Sequence, residues 1–164
     1  MAQTHPVLHL LCGLIASGKS TLAAQLSAGP DTLLLSEDSW LKGLYVDELT
    51  SGADYLRYAA RLRNVMGPHI TTLLDMGISV VLDFPANTVG QRKWMREIID
   101  DSGAAHQLHY LDTPAQVCLD RLRARNATGA HAFAATEAQF HQFAQHFAPP
   151  TADENFTIIR HTSS

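Results

Sequence analysis

Residues 13–20 read GLIASGKS, and no other stretch limits so sharply what this chain can fold into. The spacing G-x-x-x-x-G-K-[ST] asks for a buried strand in front, a helix behind, and a tight loop between them. Its glycines let the backbone curl so that successive N–H groups face inward, where they bind phosphate oxygens. The helix opening at Gly18-Lys19 aims its positive end at the same point. The Lys19 ammonium can reach β- and γ-phosphates, and the Ser20 hydroxyl suits Mg²⁺, a hard cation that prefers oxygen. The expected ligands are therefore ATP and Mg²⁺, held by Gly13, Ala16, Ser17, Gly18, Lys19, Ser20 and Thr21.

The flanks supply the context this loop needs. VLHLLCGL over 7–14 is a short apolar run that reads as a buried strand. KSTLAAQLS over 19–27 reads as a helix, with Leu22 and Leu26 four apart and Gly29-Pro30 as its stop. Further strands are expected at 32–35, 78–82, 105–111 and 155–160. Further helices are expected at 53–76, 88–101, 113–126 and 135–147. Gly67-Pro68 predicts a break or kink in the first of these. Thr113-Pro114 predicts a helix capped by Thr113 with Pro114 at its first position. Short strands alternating with helices predict an α/β fold, a parallel sheet covered on both faces. The length, 164 residues, suits one domain over 1–164.

Composition removes several classes of function. Hydrophobic residues make up 46% and charged residues 17%, the balance of a globular chain. No apolar run approaches the roughly 18 residues that span a bilayer, so no membrane partner is expected. The N-terminal residues lack a positive segment and a small-residue cleavage site, which makes the cytoplasm the expected location. A net charge of −4 argues against a nucleic-acid partner. Cys12 and Cys118 lie in apolar stretches and read as buried packing rather than a disulfide. The nine histidines show no ligand spacing. His106 and His109 fall on opposite faces of a strand, and His141 and His146 are off a common helix face, so no structural zinc site is expected.

Other residues are candidates because of where they fall. Asp38 stands just past the second strand, where a parallel sheet gathers its ligand. It can take a proton from an attacking hydroxyl, hold Mg²⁺ through water, or simply cap a helix beginning at Ser39. Ser36 and Glu37 are weaker competitors for the same role. Asp83 ends the apolar strand ISVVLD, as a carboxylate that orients Mg²⁺ or its water does in a Walker B strand. Phe84 follows it, whereas motor ATPases carry Glu there to activate water. Asn87 could bind substrate or cap the helix from Thr88. Arg121 and Arg125 are four apart on one helix face, with Arg123 pointing elsewhere. Together with Asn126-Ala127-Thr128-Gly129 they suggest a lid over about 121–135 whose guanidinium groups meet transferring phosphate charge. Arg57 and Arg61 form a second such pair, open to an anionic substrate or to surface carboxylates, and Arg63 reads as a surface residue. Substrate contacts are expected from 40–65 and 84–92.

GLIASGKST, SED after the second strand, LDFPAN after the third and DRLRARN resemble, in that order, the P-loop kinases near phage polynucleotide kinase, zeta toxin and chloramphenicol phosphotransferase. More narrowly, the chain is similar to the AAA_33-type "predicted kinase" proteins along nearly its whole length. The resemblance implies a P-loop NTPase three-layer α/β/α sandwich with a five-stranded parallel sheet in the order 2-3-1-4-5. It also implies phosphoryl transfer from ATP to a hydroxyl-bearing substrate. Lys19 and Ser20 match the family's phosphate and Mg²⁺ residues, Asp38 its general base, and Arg121 and Arg125 its lid arginines. The catalytic set is then Lys19, Asp38, Arg121 and Arg125, with Ser20, Asp38 and Asp83 around the metal. Leu41 stands where the polynucleotide kinase has an Arg, which argues against a nucleic-acid 3′-phosphate contact. No N-K-x-D guanine motif is present, which favours ATP over GTP. Two rival readings remain at this level: an ATP-binding switch with slow turnover, and a nucleic-acid 5′-hydroxyl kinase. Neither the substrate nor the oligomeric state has a motif.

Overall fold

The computed structural model describes residues 5–129 and 135–162. Five strands, β1 (Val7–Cys12), β2 (Thr32–Ser36), β3 (Ser79–Pro85), β4 (Ala105–Asp112) and β5 (Ile158–Thr162), form one sheet in the order β2-β3-β1-β4-β5. Every neighbouring pair is parallel, in the register Leu8↔Val80, Leu35↔Leu82, Leu10↔Leu108 and Tyr110↔Arg160. Among the described residues six helices connect them: α1 (Lys19–Leu26), α2 (Glu37–Tyr45), α3 (Gly52–Asp75), α4 (Val89–Ser102), α5 (Ala115–Ala127) and α6 (Glu137–His146). The sheet and its order are those the resemblance implied.

The pleat divides the core. Leu8, Leu10 and Cys12 alternate with Leu11 along β1 and face α3 and α4, packing with Leu62, Met66, Ile70, Met95 and Ile98. Leu11 and Val81 face the other way, against Ala23 of α1. A third cluster joins Cys118, Leu119 and Leu122 of α5 to Phe140 of α6, with Leu14, Ile15 and Ala16 of the loop resting on it. Both cysteines are buried and free. No helix among the described residues is long and apolar enough to cross a membrane.

Four local expectations are corrected. Helix α3 does not break at Gly67-Pro68, the first of the two outcomes expected there. An interior proline costs about 3 kcal/mol. On either side of it, however, Met66, Ile70 and Leu74 are buried on one face, and each such side chain contributes roughly 1.5–3 kcal/mol, so packing wins. Thr113 does not cap α5: the helix begins at Ala115 after Pro114, and the Thr113 hydroxyl instead donates to the Ser17 carbonyl at 3.3 Å. The last strand begins three residues later than expected, because the chain leaves a 3₁₀ turn at Ala152–Glu154 through Asn155 at φ 62° before it turns into the sheet. Asn87 caps nothing; Thr88 and Gln91 form the capping box of α4. The lid expected over about 121–135 starts on α5, and residues 130–134 lie outside the described residues.

Candidate nucleotide and phosphoryl-transfer site

The loop between β1 and α1 is held from several sides. Gly18 takes φ 106°, a region open to glycine, while Ala16 at φ 64° is in the left-handed region that costs an alanine strain. Gly13 is needed for space. A Cβ there would lie 2.5 Å from Ser17 Oγ and 3.2 Å from the Leu111 carbonyl oxygen. The Gly13 N–H donates to Asn87 Oδ1 at 2.9 Å, so the residue just past β3 ties the loop to the neighbouring strand. That contact gives Asn87 a role the sequence did not suggest.

Lys19 folds over the loop and donates to the carbonyls of Gly13 (2.6 Å) and Leu14 (2.7 Å). An ammonium has three donors, so one remains. Burial pulls the Lys19 pKa down to about 8, against the opposing pull of the Asp83 carboxylate. Ser20 and Thr21 are exposed in the first turn of α1. Asp83 and Ser36 are register partners at the ends of β3 and β2, which brings Asp38 and Asp83 to the same edge of the loop. Burial raises the Asp83 pKa, Asp38 raises it further, and Lys19 lowers it.

Asp38 does not cap a helix. The cap of α2 is Ser36, whose hydroxyl accepts from the Ser39 N–H at 3.3 Å, and Asp38 is exposed in the first turn. Glu37 beside it is 2% exposed. Tyr55 of α3 donates to Glu37 Oε1, while Oε2 is enclosed and has no hydrogen-bond partner. Burial raises the Glu37 pKa to about 7, opposed by the Tyr55 hydrogen bond and reinforced by Asp38.

On the other side Arg121 donates to the Ala16 carbonyl at 3.4 Å, and Arg125 has its Nε buried without a partner. Arg123 points away and pairs with Glu137 at 2.6 Å. Lys19, Ser20, Thr21, Asp38, Asp83, Arg121 and Arg125 all line one cleft of about 1100 Å³. Ala16 and Gly18 line it too, while Ser17 is buried behind the loop. Gln139, Phe140 and Phe143 of α6 and Phe147 also line the cleft, and no motif announced them. Arg57 and Arg61 are elsewhere, one bonded to the Tyr58 hydroxyl at 3.0 Å and the other over the Tyr58 ring.

The cleft suits a triphosphate with Mg²⁺. A basic group, a helix N-terminus and a buried, unsatisfied guanidinium N–H face one space. No group of three or more His, Cys, Asp or Glu among the described residues could hold a metal ion. Mg²⁺ does not need one, since it is commonly held by one or two side-chain oxygens, waters and substrate phosphates.

Known proteins resemble this chain in sequence and in fold. The model of the AAA_33 family, described as an AAA domain, matches residues 8–150. An adenylyl-sulfate kinase of Shewanella halifaxensis is 33% identical over 121 residues, 69% of this chain and 55% of that protein, so the chain spans about half the length of this curated relative. The structure of the Mycobacterium tuberculosis APS kinase CysC in complex with AMPPNP and APS superposes with a TM-score of 0.64 at 26% identity, covering 96% of this chain and 88% of that one. Kti12 of Chaetomium thermophilum, in complex with ADP-AlF3, shares the fold at a TM-score of 0.74 and 14% identity, over 96% of this chain and 89% of that one.

Proposed function

The chain belongs to the AAA_33 family, and from that premise we propose that it is a P-loop kinase moving the γ-phosphate of ATP to a hydroxyl of a small-molecule acceptor. The observation that carries this reading is the single cleft into which the loop, both strand-end carboxylates and both α5 arginines open. The loop N–H groups and Lys19 bind the β- and γ-phosphates. The Ser20 hydroxyl, with Asp38 and Asp83 behind its waters, would hold Mg²⁺, which when bound neutralises phosphate charge. Asp38, exposed at the cleft edge, accepts the proton of the acceptor hydroxyl. That oxygen bonds to the γ-phosphorus as the bond to the β–γ bridging oxygen breaks, and ADP leaves with the bridging oxygen. Arg121 and Arg125 meet the charge spread over the transferring group. Phe84 follows Asp83 where motor ATPases carry the Glu that activates water, in keeping with transfer over hydrolysis.

The test incubates wild type and Asp38→Asn with Mg²⁺ and γ-labelled ATP against a pool of hydroxyl compounds that includes adenylyl sulfate, sugars, hydroxyl-bearing antibiotics, nucleosides and short oligonucleotides. Label reaching one compound with wild type and not with Asp38→Asn is expected. Equal labelling by both proteins would remove Asp38 from the reaction. ATP binding with no labelled compound would favour a slow switch.

A further inference from the structure

Asn87 and Gln91 line the cleft just past β3, and the mechanism above uses neither side chain. The chain itself occupies one end of each amide. Asn87 Oδ1 accepts from the Gly13 N–H at 2.9 Å. Gln91 Oε1 accepts from two N–H groups, that of Asn87 at 2.9 Å and that of Thr88 at 3.2 Å. A backbone N–H only donates, so these bonds fix which end of each amide is the oxygen. The Asn87 carbonyl is taken as well, by the Ala148 N–H at 2.8 Å. What is left over is Asn87 Nδ2 and Gln91 Nε2, each with two N–H donors and no hydrogen-bond partner among the described residues. Neither nitrogen is enclosed: the buried unpartnered side-chain atoms among the described residues are Ser17 Oγ, Glu37 Oε2, Arg125 Nε and Asn126 Oδ1. Both residues are half-buried, and the space they border is the cleft. The bond from the Asn87 N–H to Gln91 Oε1 joins the two residues directly, so the donors are neighbours.

Their chemistry selects the ligand. An amide NH₂ offers no lone pair, so these nitrogens cannot ligate Mg²⁺, which takes oxygen. They read oxygens that carry lone pairs: hydroxyl, carbonyl or oxyanion. The order of the sheet says whose oxygens these are. The phosphate loop follows β1. Asn87 and Gln91 follow β3 and Asp38 follows β2, on one side of the loop, while Arg121 and Arg125 follow β4 on the other. The loop N–H groups, Lys19 and the two arginines already meet the phosphates of ATP. The amide pair instead shares its side with the carboxylate that takes the acceptor's proton.

We infer that Asn87 and Gln91 recognise the acceptor, each donating from its side-chain nitrogen to an oxygen beside the reacting hydroxyl. The acceptor is therefore a polyhydroxy or hydroxy-oxo compound, and a simple monohydroxy alcohol lacks the groups that the pair reads. This rests on the kinase reading above.

Two isosteric variants separate recognition from structure. Asn87→Asp and Gln91→Glu each keep an oxygen for the backbone N–H groups and lose the NH₂. Full-length ¹⁵N-labelled protein is saturated with Mg²⁺ and AMPPNP, and the two NH₂ signals are assigned by their disappearance in the variants. Ribose, glucose, sorbitol and adenylyl sulfate are then titrated in turn, with propan-2-ol as the monohydroxy control. At least one of the four is expected to shift both NH₂ signals and slow their exchange with water, and propan-2-ol to do neither. Gln91→Glu is expected to bind that compound about tenfold more weakly, equivalent to about 1.4 kcal/mol, with the melting temperature unchanged, and Asn87→Asp to show a loss of the same order. No response to any of the four, or equal binding by wild type and Gln91→Glu, overturns the proposal. Slowed exchange of either NH₂ group with AMPPNP alone also overturns it, by giving the pair to the nucleotide. Wild type that binds AMPPNP and fails these tests loses the acceptor assignment alone, whereas wild type that does not bind AMPPNP shows that the kinase reading itself has failed.

Discussion

Gly13→Ala tests whether the loop is packed as tightly as its geometry indicates. The added Cβ would lie 2.5 Å from Ser17 Oγ, 3.2 Å from the Leu111 carbonyl oxygen and 3.3 Å from Leu111 Cβ. Non-bonded heavy atoms settle at about 3.5–4.0 Å, so the first contact overlaps by about 1 Å. Neither side gives easily. Ser17 is 4% exposed, and Gly13 is tied by its N–H to Asn87 and by its carbonyl to Lys19. Overpacking of this kind costs about 1–3 kcal/mol. At about 2–4 °C per kcal/mol for a chain of this size, the melting temperature of the ligand-free protein falls by roughly 2–12 °C. Ser17→Ala alone removes a buried hydroxyl that has no partner, and its effect is near zero or stabilising. In the double variant the 2.5 Å contact is gone and those with Leu111 remain, so a part of the loss returns, with a coupling of about 1 kcal/mol. Differential scanning calorimetry on the four proteins without nucleotide reads the whole cycle. An unchanged melting temperature for Gly13→Ala, or a double variant no more stable than Gly13→Ala, would refute the reasoning.

Arg92 is 1% exposed and joins α4 to the C-terminal segment through Glu154 (2.8 Å), the Ala86 carbonyl (2.9 Å) and the Pro149 carbonyl (3.4 Å). Arg92→Met strands these acceptors and is expected to cost about 3–5 kcal/mol by urea unfolding, and a loss below about 1 kcal/mol would contradict the buried pairing. His109 bridges His9 (3.0 Å) and His161 (2.9 Å) across β1, β4 and β5. Burial first, then the charges of His9 and His161, lower its pKa from 6.5 to about 4, and burial lowers that of His9. The unfolded chain therefore binds more protons below pH 6.5, and stability falls as pH drops from about 6.5 towards 4. His109→Gln is expected to flatten that slope in melts between pH 7 and 4.5, and an identical slope would remove the histidine line as its cause.

The phosphate-binding loop was legible because its chemistry fixes residue type and spacing together, and the sheet because five short apolar runs alternate with helical ones. The carboxylates at the ends of β2 and β3 were legible as positions, since a parallel sheet collects its ligands there. What escaped the sequence depends on contacts between distant segments. Pro68 reads as a helix breaker locally, and the burial of Met66, Ile70 and Leu74 overrides it. Asn87 reads as a cap, yet its amide reaches a backbone N–H 74 positions away. Glu37 looks like any acidic residue at a helix start, and its enclosure by Tyr55 is a property of α2 against α3. The His9–His109–His161 line crosses three strands and leaves no periodic mark in any one of them.

The measurement closest to the central claim is calorimetric titration of ATP into wild type and Lys19→Met, each with and without Mg²⁺. Wild type is expected to bind one ATP per chain, more tightly with Mg²⁺, and Lys19→Met to lose at least about tenfold in affinity, or about 1.4 kcal/mol. No binding by wild type, or equal binding by the two proteins, would contradict the assignment of this cleft to the phosphates of ATP.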